Sequence, residues 1–178
     1  CVMVGAEKLP ERIRNSFGER FGIEPGEGYG ATECAPIISA SLPDEESPGF
    51  YVQHSKTGTV GHPFPYQMVK VVDPDSHQEL STDEAGLLLV RGPNVMPGYL
   101  NDEKRSWEVL KDGWYVTGDI ASVDEDGFIT ITDRLARFSK IGGEMVPHTK
   151  IEEVLHGLLG LTEQALVVLG VPDEVRGE

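Results

Sequence analysis

The chain has 178 residues, of which 39% are apolar, and 15 basic residues stand against 30 acidic ones for a formal net charge of −15. The apolar share supports a packed core and excludes wholesale disorder, while the acidic surplus excludes a basic face that grips nucleic acid. The longest apolar runs, at 87–90 and 165–169, are far too short to cross a bilayer as a helix, and no charged–apolar–small leader opens the chain.

Two cysteines, Cys1 and Cys34, show no CxxC spacing and are read as plain small residues in a reducing, cytoplasmic setting. Residues 2–4 are expected to form a short apolar strand. Pro10 then opens a helix at a position where its missing N–H is tolerated, and Leu9, Ile13, Phe17 and Phe21 give that helix one apolar stripe. Gly22 stops it. The stretch Gly26-Glu27-Gly28-Tyr29-Gly30-Ala31-Thr32-Glu33 is too rich in glycine for a helix interior, so it is a loop or a strand end where backbone passes close to something.

Residues 41–58 are rich in Pro, Ser, Gly and acid and read as a surface connection. Beyond them the period changes to two, with strands expected at 67–72, 86–91, 115–123 and 128–132. Asp73-Pro74-Asp75-Ser76 and Asp126-Gly127 supply turns, and a short helix over 101–110 carries Asn101 as its N-cap. Several short strands at this spacing predict a small distorted β-barrel or sandwich. Residues 138–141 form another strand, followed by a turn at Gly142-Gly143. Thr149 then caps a helix, with Glu152 at the capping-box position, and Ile151, Val154, Leu155, Leu158 and Leu159 form its apolar face. A strand at 165–169 completes the opening of an α+β domain.

The chain begins as though in mid-strand, and its end, Gly170-Val171-Pro172-Asp173-Glu174, follows an expected strand and leads nowhere, so it is expected to be a segment of a longer protein.

Three stretches carry polar groups suited to chemistry. Tyr29 to Glu33 sets an aromatic face, a hydroxyl and a carboxylate within one short turn. Such a set can stack on a base, bond a phosphate oxygen and hold Mg²⁺, or be a tight turn with a surface acid. Trp114-Tyr115-Val116-Thr117-Gly118-Asp119 puts an acid after a Thr-Gly turn, able to accept from both hydroxyls of a ribose or only to brace the turn. Asp133-Arg134 offers a guanidinium for ribose or phosphate, or a solvated ion pair.

Taken together, in this order, they resemble the later core motifs of the adenylate-forming superfamily: acyl-CoA synthetases, luciferase-like enzymes and nonribosomal adenylation domains. Gly28 to Glu33 resembles its aromatic-Gly-x-Thr-Glu motif, and Trp114 to Asp119 its Tyr-x-Thr-Gly-Asp motif. Asp133-Arg134, Lys140-Ile141, Gly143 and Ile151-Glu152 are similar to its crossover motif. Gly5-Ala6-Glu7-Lys8-Leu9-Pro10 and Gly58-Thr59-Val60-Gly61 extend the resemblance over nearly the whole chain.

That resemblance implies an α+β fragment: the end of an α/β AMP-binding subdomain over 1–56, a β-barrel subdomain over 57–133, and the start of a mobile C-terminal α+β domain over 134–178. It implies ATP and AMP as ligands with Mg²⁺, and formation of an acyl-AMP whose acyl group passes to a phosphopantetheine thiol. Tyr29 and Gly30 would lie against adenine, Thr32 at phosphate, Glu33 at Mg²⁺, Asp119 and Arg134 at ribose. Lys140 and Gly143 would belong to the crossover loop at the pantetheine tunnel.

Two departures stand out. Ala136 occupies the hinge position where the family often has Asp or Lys, and the proline near the end of the crossover motif sits one residue early, at Pro147. The Pro-Lys phosphate loop and the C-terminal lysine lie outside the chain, so this fragment is expected to be inactive alone.

Residues 137–146 look most like the crossover segment of bacterial acyl-[acyl-carrier-protein] synthetases, often fused to a 2-acylglycerophosphoethanolamine acyltransferase. By that resemblance the substrate is a fatty acid, the acceptor is acyl carrier protein, and the parent works in phospholipid metabolism at the cytoplasmic side of a bacterial inner membrane. A long-chain acyl-CoA ligase fragment and a non-catalytic nucleotide- or carrier-protein-binding module are the alternatives. Retention of Glu33, Asp119 and Arg134 favours the ligase over a docking relic.

Other sites are weaker. Asp124-Glu125-Asp126-Gly127 lacks the third Asp and terminal Glu of a calcium loop and reads as a hairpin turn. The five histidines share no metal-ligand spacing, His156 is expected on the solvated side of its helix, and Ser139 has no histidine beside it in sequence.

Overall fold

The computed structural model describes residues 1–141, 144–160 and 165–171. The architecture is mixed α+β. A first sheet contains β1 (Met3–Val4), β2 (Gly26–Gly30), β3 (Ile37–Ala40) and β6 (His62–Pro63), in that spatial order. β1 is parallel to β2 because α1 (Glu11–Phe21) returns the chain between them; the other pairings are antiparallel. Between β3 and β6 the expected surface connection folds into a small hairpin, β4 (Glu45–Ser47) with β5 (Phe50–Val52). Asp44 braces it, accepting from the Tyr51 hydroxyl, the Ser55 hydroxyl and the backbone N–H groups of His54 and Ser55.

The second sheet is antiparallel and runs β11 (Ile129–Arg134), β10 (Trp114–Val123), β8 (Gly86–Arg91), β7 (Met68–Val72). A two-residue strand β9 (Leu110–Lys111) also pairs with β10, and α2 (Glu103–Val109) precedes it. The expected small distorted barrel is present as a half-barrel, irregular where the register of β10 shifts against β8 between Val116 and Ile120. A hairpin of β12 (Phe138–Ile141) and β13 (Glu144–Pro147) follows, then α3 (His148–Leu159).

The core explains why β8 reads as an unbroken apolar run. Leu88 and Val90 point into one cluster with Cys34, Ile38, Val71, Tyr115, Ala121 and Ile129. Leu87 and Leu89 point into another with Val72 and Ile120, flanked by Trp114, Val116, Leu135 and Phe138. A central strand covered on both faces has no polar side to alternate with. Because Ile38 comes from β3 and Cys34 from the turn between β2 and β3, the first cluster also fastens the Gly-rich segment against β8 and β10.

Helix ends depart from the sequence expectations. Asn101 does not cap α2: it sits at φ 57, and Asp102 is the N-cap, its carboxylate accepting from the Arg105 N–H at 3.0 Å. The expected capping box on α3 is absent as well. Pro147 is the N-cap, Thr149 donates its hydroxyl to Asp133 Oδ2 at 2.6 Å, and Glu152 is engaged by Arg137 and by the Val168 N–H. Local spacing suggested a cap, but tertiary partners with better geometry took both side chains.

Gly22 does end α1, in the left-handed region at φ 66. The stripe on α1 is not covered by the described residues, with Ile13 49% and Phe21 56% exposed. α1 is anchored instead by Arg14, which pairs with the buried Glu27 on β2, while Glu27 also accepts from the Leu9 N–H. Residues 165–169 form no strand. The turn at Gly142-Gly143 lies outside the described residues. No helix among the described residues is long and apolar enough to cross a membrane.

Candidate functional site

The distortion in β10 is built by Thr117 and Gly118. The Thr117 hydroxyl donates to the Leu88 carbonyl at 2.8 Å and accepts from the Asp119 N–H at 3.0 Å, so one side chain replaces the ladder bonds that the bulge removes. Gly118 takes φ 78, a conformation that costs a Cβ-bearing residue dearly. The result turns the Asp119 carboxylate toward β2, where the Tyr29 hydroxyl donates to Asp119 Oδ2 at 2.5 Å.

Arg134 pairs with Asp119 across the β10–β11 ladder, its Nε 3.6 Å from Oδ1. The arginine side chain is 79% exposed against 14% for the aspartate, so solvent screens the pair and most of the guanidinium remains accessible. Burial pushes the Asp119 carboxyl above its ordinary value, opposed by the Tyr29 hydrogen bond and the Arg134 charge. The Tyr29 phenol is raised well above its own range, by burial first and by the Asp119 charge second. It therefore stays protonated and donates.

Glu33 stands on the 3-10 turn Thr32–Cys34 that follows β2. Gly30 is required on the approach, since a Cβ there would lie 2.1 Å from the Pro36 carbonyl oxygen. The loop after β8 holds the turn from above: the Met96 N–H donates to the Glu33 carbonyl at 2.8 Å, and Asn94 Nδ2 to the Cys34 carbonyl at 2.6 Å. The Tyr99 hydroxyl reaches Glu33 Oε1 at 2.5 Å. That bond, more than any other contact, holds the Glu33 carboxyl below its usual range. Tyr115, four residues before Asp119 on β10 and buried, adds to the rise of the Tyr29 phenol through its charge and, as a weaker hydrogen-bonding influence than Tyr99, helps to hold the Glu33 carboxyl low. Thr32 is exposed at the start of the turn.

Tyr29, Asp119 and Arg134 are thus in direct contact, with Thr32 and Glu33 on the adjoining turn. Cys34, behind Glu33, is buried with its thiol pushed up to about 11 by desolvation first and the Glu33 charge second, which makes it an inert core residue. Lys140 lies on β12 opposite Met145, away from this constellation in sequence and element. Its side chain and Gly143 lie outside the described residues.

Sequence reasoning missed Tyr99, Asn94 and Arg105, whose guanidinium lies 4.3 Å over the Tyr99 ring. The available signal was the Gly92-Pro93-Asn94 and Pro97-Gly98-Tyr99 turns, which set polar groups in a loop too constrained for mere connection. It also missed two contacts near the crossover. Ser139 Oγ lies 2.7 Å from His148 Nε2, both buried, and His156 is bonded through both ring nitrogens, to the Glu152 carbonyl and the Ala165 N–H. The α3 hairpin region is further tied by Arg137 to Glu152 at 2.7 Å.

A family described as "AMP-binding enzyme" matches residues 1–100. A long-chain-fatty-acid–CoA ligase of Salmonella typhimurium is 43% identical over 170 residues, covering 93% of this chain and 28% of the relative. The 4-coumarate–CoA ligase 1 of Arabidopsis thaliana is 35% identical over 179 residues, covering 99% and 31%. The chain therefore spans less than a third of the length of these relatives. Among solved structures, an ATP-bound RpMatB-BxBclM chimera superposes with a TM-score of 0.81 at 28% identity, over 98% of this chain and 33% of that one. The anthranilate CoA ligase AuaEII in complex with anthranoyl-AMP gives 0.77 at 26% identity, over 98% and 32%.

Proposed function

We propose, from the premise that this chain belongs to the AMP-binding enzyme family of adenylate-forming enzymes, that it supplies the nucleotide cradle of an ATP-dependent long-chain fatty acid ligase. In the first step a carboxylate oxygen bonds to the α-phosphorus of ATP and pyrophosphate leaves. In the second a thiolate attacks the acyl carbon and AMP leaves. Catalysis of such displacements rests on positioning and on neutralising charge.

The observation that carries this reading is the Tyr29–Asp119 contact, flanked by Arg134, with Glu33 on the adjoining turn. Asp119 offers two acceptor oxygens to the two hydroxyls of a ribose, and Arg134 stands beside it. Tyr29 gives an aromatic face beside Gly30, where backbone comes close. Thr32 and Glu33, on the turn after β2, would meet the phosphates. A Mg²⁺ ion would be held by Glu33, which is ionised and has a single carboxylate to offer. Among the described residues no group of three His, Cys, Asp or Glu converges on a metal. One carboxylate with phosphate oxygens and water is the coordination Mg²⁺ favours. When bound, the ion neutralises phosphate charge.

The division at residues 56 and 133, with Lys140 and Gly143 on the part that moves to meet the thiol, belongs to the same reading. CoA is the acceptor favoured by the named relatives, which are CoA ligases of fatty and aromatic acids. Acyl carrier protein is the second reading, supported by the resemblance of residues 137–146 to acyl-carrier-protein synthetases. Both present the same phosphopantetheine thiol. The full-length protein is expected to catalyse ATP–pyrophosphate exchange that depends on a long-chain fatty acid, and then to form a thioester. Assay against CoA and holo-acyl carrier protein side by side separates the acceptors, and exchange indifferent to added fatty acid would remove the ligase reading.

A further inference from the structure

Far along the chain from Glu33, the segment between β8 and α2 returns to the Thr32–Cys34 turn and ends in a tyrosine whose hydroxyl meets the Glu33 carboxylate. That tyrosine is itself fixed. Its backbone N–H donates to Ser106 Oγ at 2.7 Å, and the same hydroxyl donates to the Asp102 carbonyl at 2.7 Å. The Arg105 guanidinium covers its ring, and the Arg105 N–H is held by the Asp102 cap. The start of α2 thus aims one phenol. Packing alone would be met by a phenylalanine.

We infer that Tyr99 is a positioning residue for Glu33: its hydroxyl, braced by Arg105 and Ser106, sets the carboxylate in the orientation that meets a magnesium-bound phosphate. This rests on the nucleotide reading above and deepens it. Glutamate has one of the larger rotamer entropies to lose on ordering, and a bond formed before the ligand arrives removes that loss from binding. A carboxylate has about four lone-pair sites, so accepting one hydrogen bond from Tyr99 leaves capacity for a cation.

In the full-length protein, Tyr99→Phe keeps the ring beneath Arg105 and removes only the donor. Calorimetry with metal-free AMP reports the adenosine end of the cradle. Titration of Mg²⁺ into protein with α,β-methylene-ATP, and electron paramagnetic resonance of Mn²⁺ in the same complex, report the phosphate end without turnover. The expected result is AMP affinity within about twofold of wild type, with the Mg²⁺ needed for half-maximal analogue binding raised roughly tenfold, the scale of a hydrogen bond to a charged group. Glu33→Gln gives a shift at least as large, and adding Tyr99→Phe to it gives no more. Parallel loss of AMP and metal-dependent binding would mean that Tyr99 merely pins the loop, and no change in either would equally overturn the inference. A wild-type protein that binds no AMP would instead overturn the nucleotide reading beneath it.

Discussion

Asp119 sits largely out of water beside the Tyr29 phenol, with burial raising its carboxyl and Tyr29 and Arg134 opposing the rise. A raised acid holds its proton more tightly in the folded chain than in the unfolded one. Its folded state binds more protons between the ordinary carboxylate value and the raised one, so stability falls as pH climbs through that window and stays lower above it. Asp119→Asn cannot ionise, and its Oδ1 still accepts from Tyr29. The variant is expected to match or exceed wild type in thermal stability at pH 7, with the difference closing below about pH 4. Its AMP affinity is expected to fall about 10- to 100-fold, as one charge-assisted bond to the ribose is lost. Thermal melts across pH together with AMP titration check both halves, and a destabilised variant with intact AMP binding would contradict them. At this scale the sequence was half legible. Tyr29, Glu33, Asp119 and Arg134 could be picked out because each sits in turn or glycine-rich chemistry. Tyr99 could not, because nothing local says that its hydroxyl meets an acid on a distant turn.

Among the elements, β8 carries the core. Leu88 is fully buried at the junction of the two sheets, in one cluster with Ile38 of the first sheet, Cys34 of the turn that precedes it, and Tyr115 and Ile129 of the second. Leu88→Ala is expected to cost about 2–5 kcal/mol, readable as a shift in denaturant midpoint at unchanged slope. A loss below about 1 kcal/mol would mean that the junction is not packed as described. The strands of the second sheet were legible from periodicity and turn residues, β8 to its ends. The helix N-caps were not, because Thr149 and Glu152 look like a local box while Asp133, Arg137 and Val168 compete for them from elsewhere in the chain. Nor was the β4–β5 hairpin, whose polar sequence hides three-residue strands held by one aspartate. The apolar face of α3 was legible as a pattern, yet Val154 and Leu158 remain 57% and 78% exposed, so the described residues do not cover it.

On the scale of the molecule, the proposed cradle depends on two sheets fastened through one hydrophobic cluster. The Gly-rich segment contributes Tyr29 and Glu33, the bulged strand contributes Asp119, and its neighbour contributes Arg134. Resemblance named the family from motifs. The distance between those motifs in sequence gave no direct sign that Tyr29 would bond to Asp119, which only the packing of β2 onto β10 brings about. The central claim is that these groups converge on one adenosine nucleotide. Calorimetric titration of AMP into the full-length protein and into its Asp119→Ala variant tests it most directly. Saturable one-site heat in the wild type, reduced at least tenfold in affinity by Asp119→Ala while the variant melts cooperatively, is the expected result; equal AMP affinity in the two proteins would contradict it.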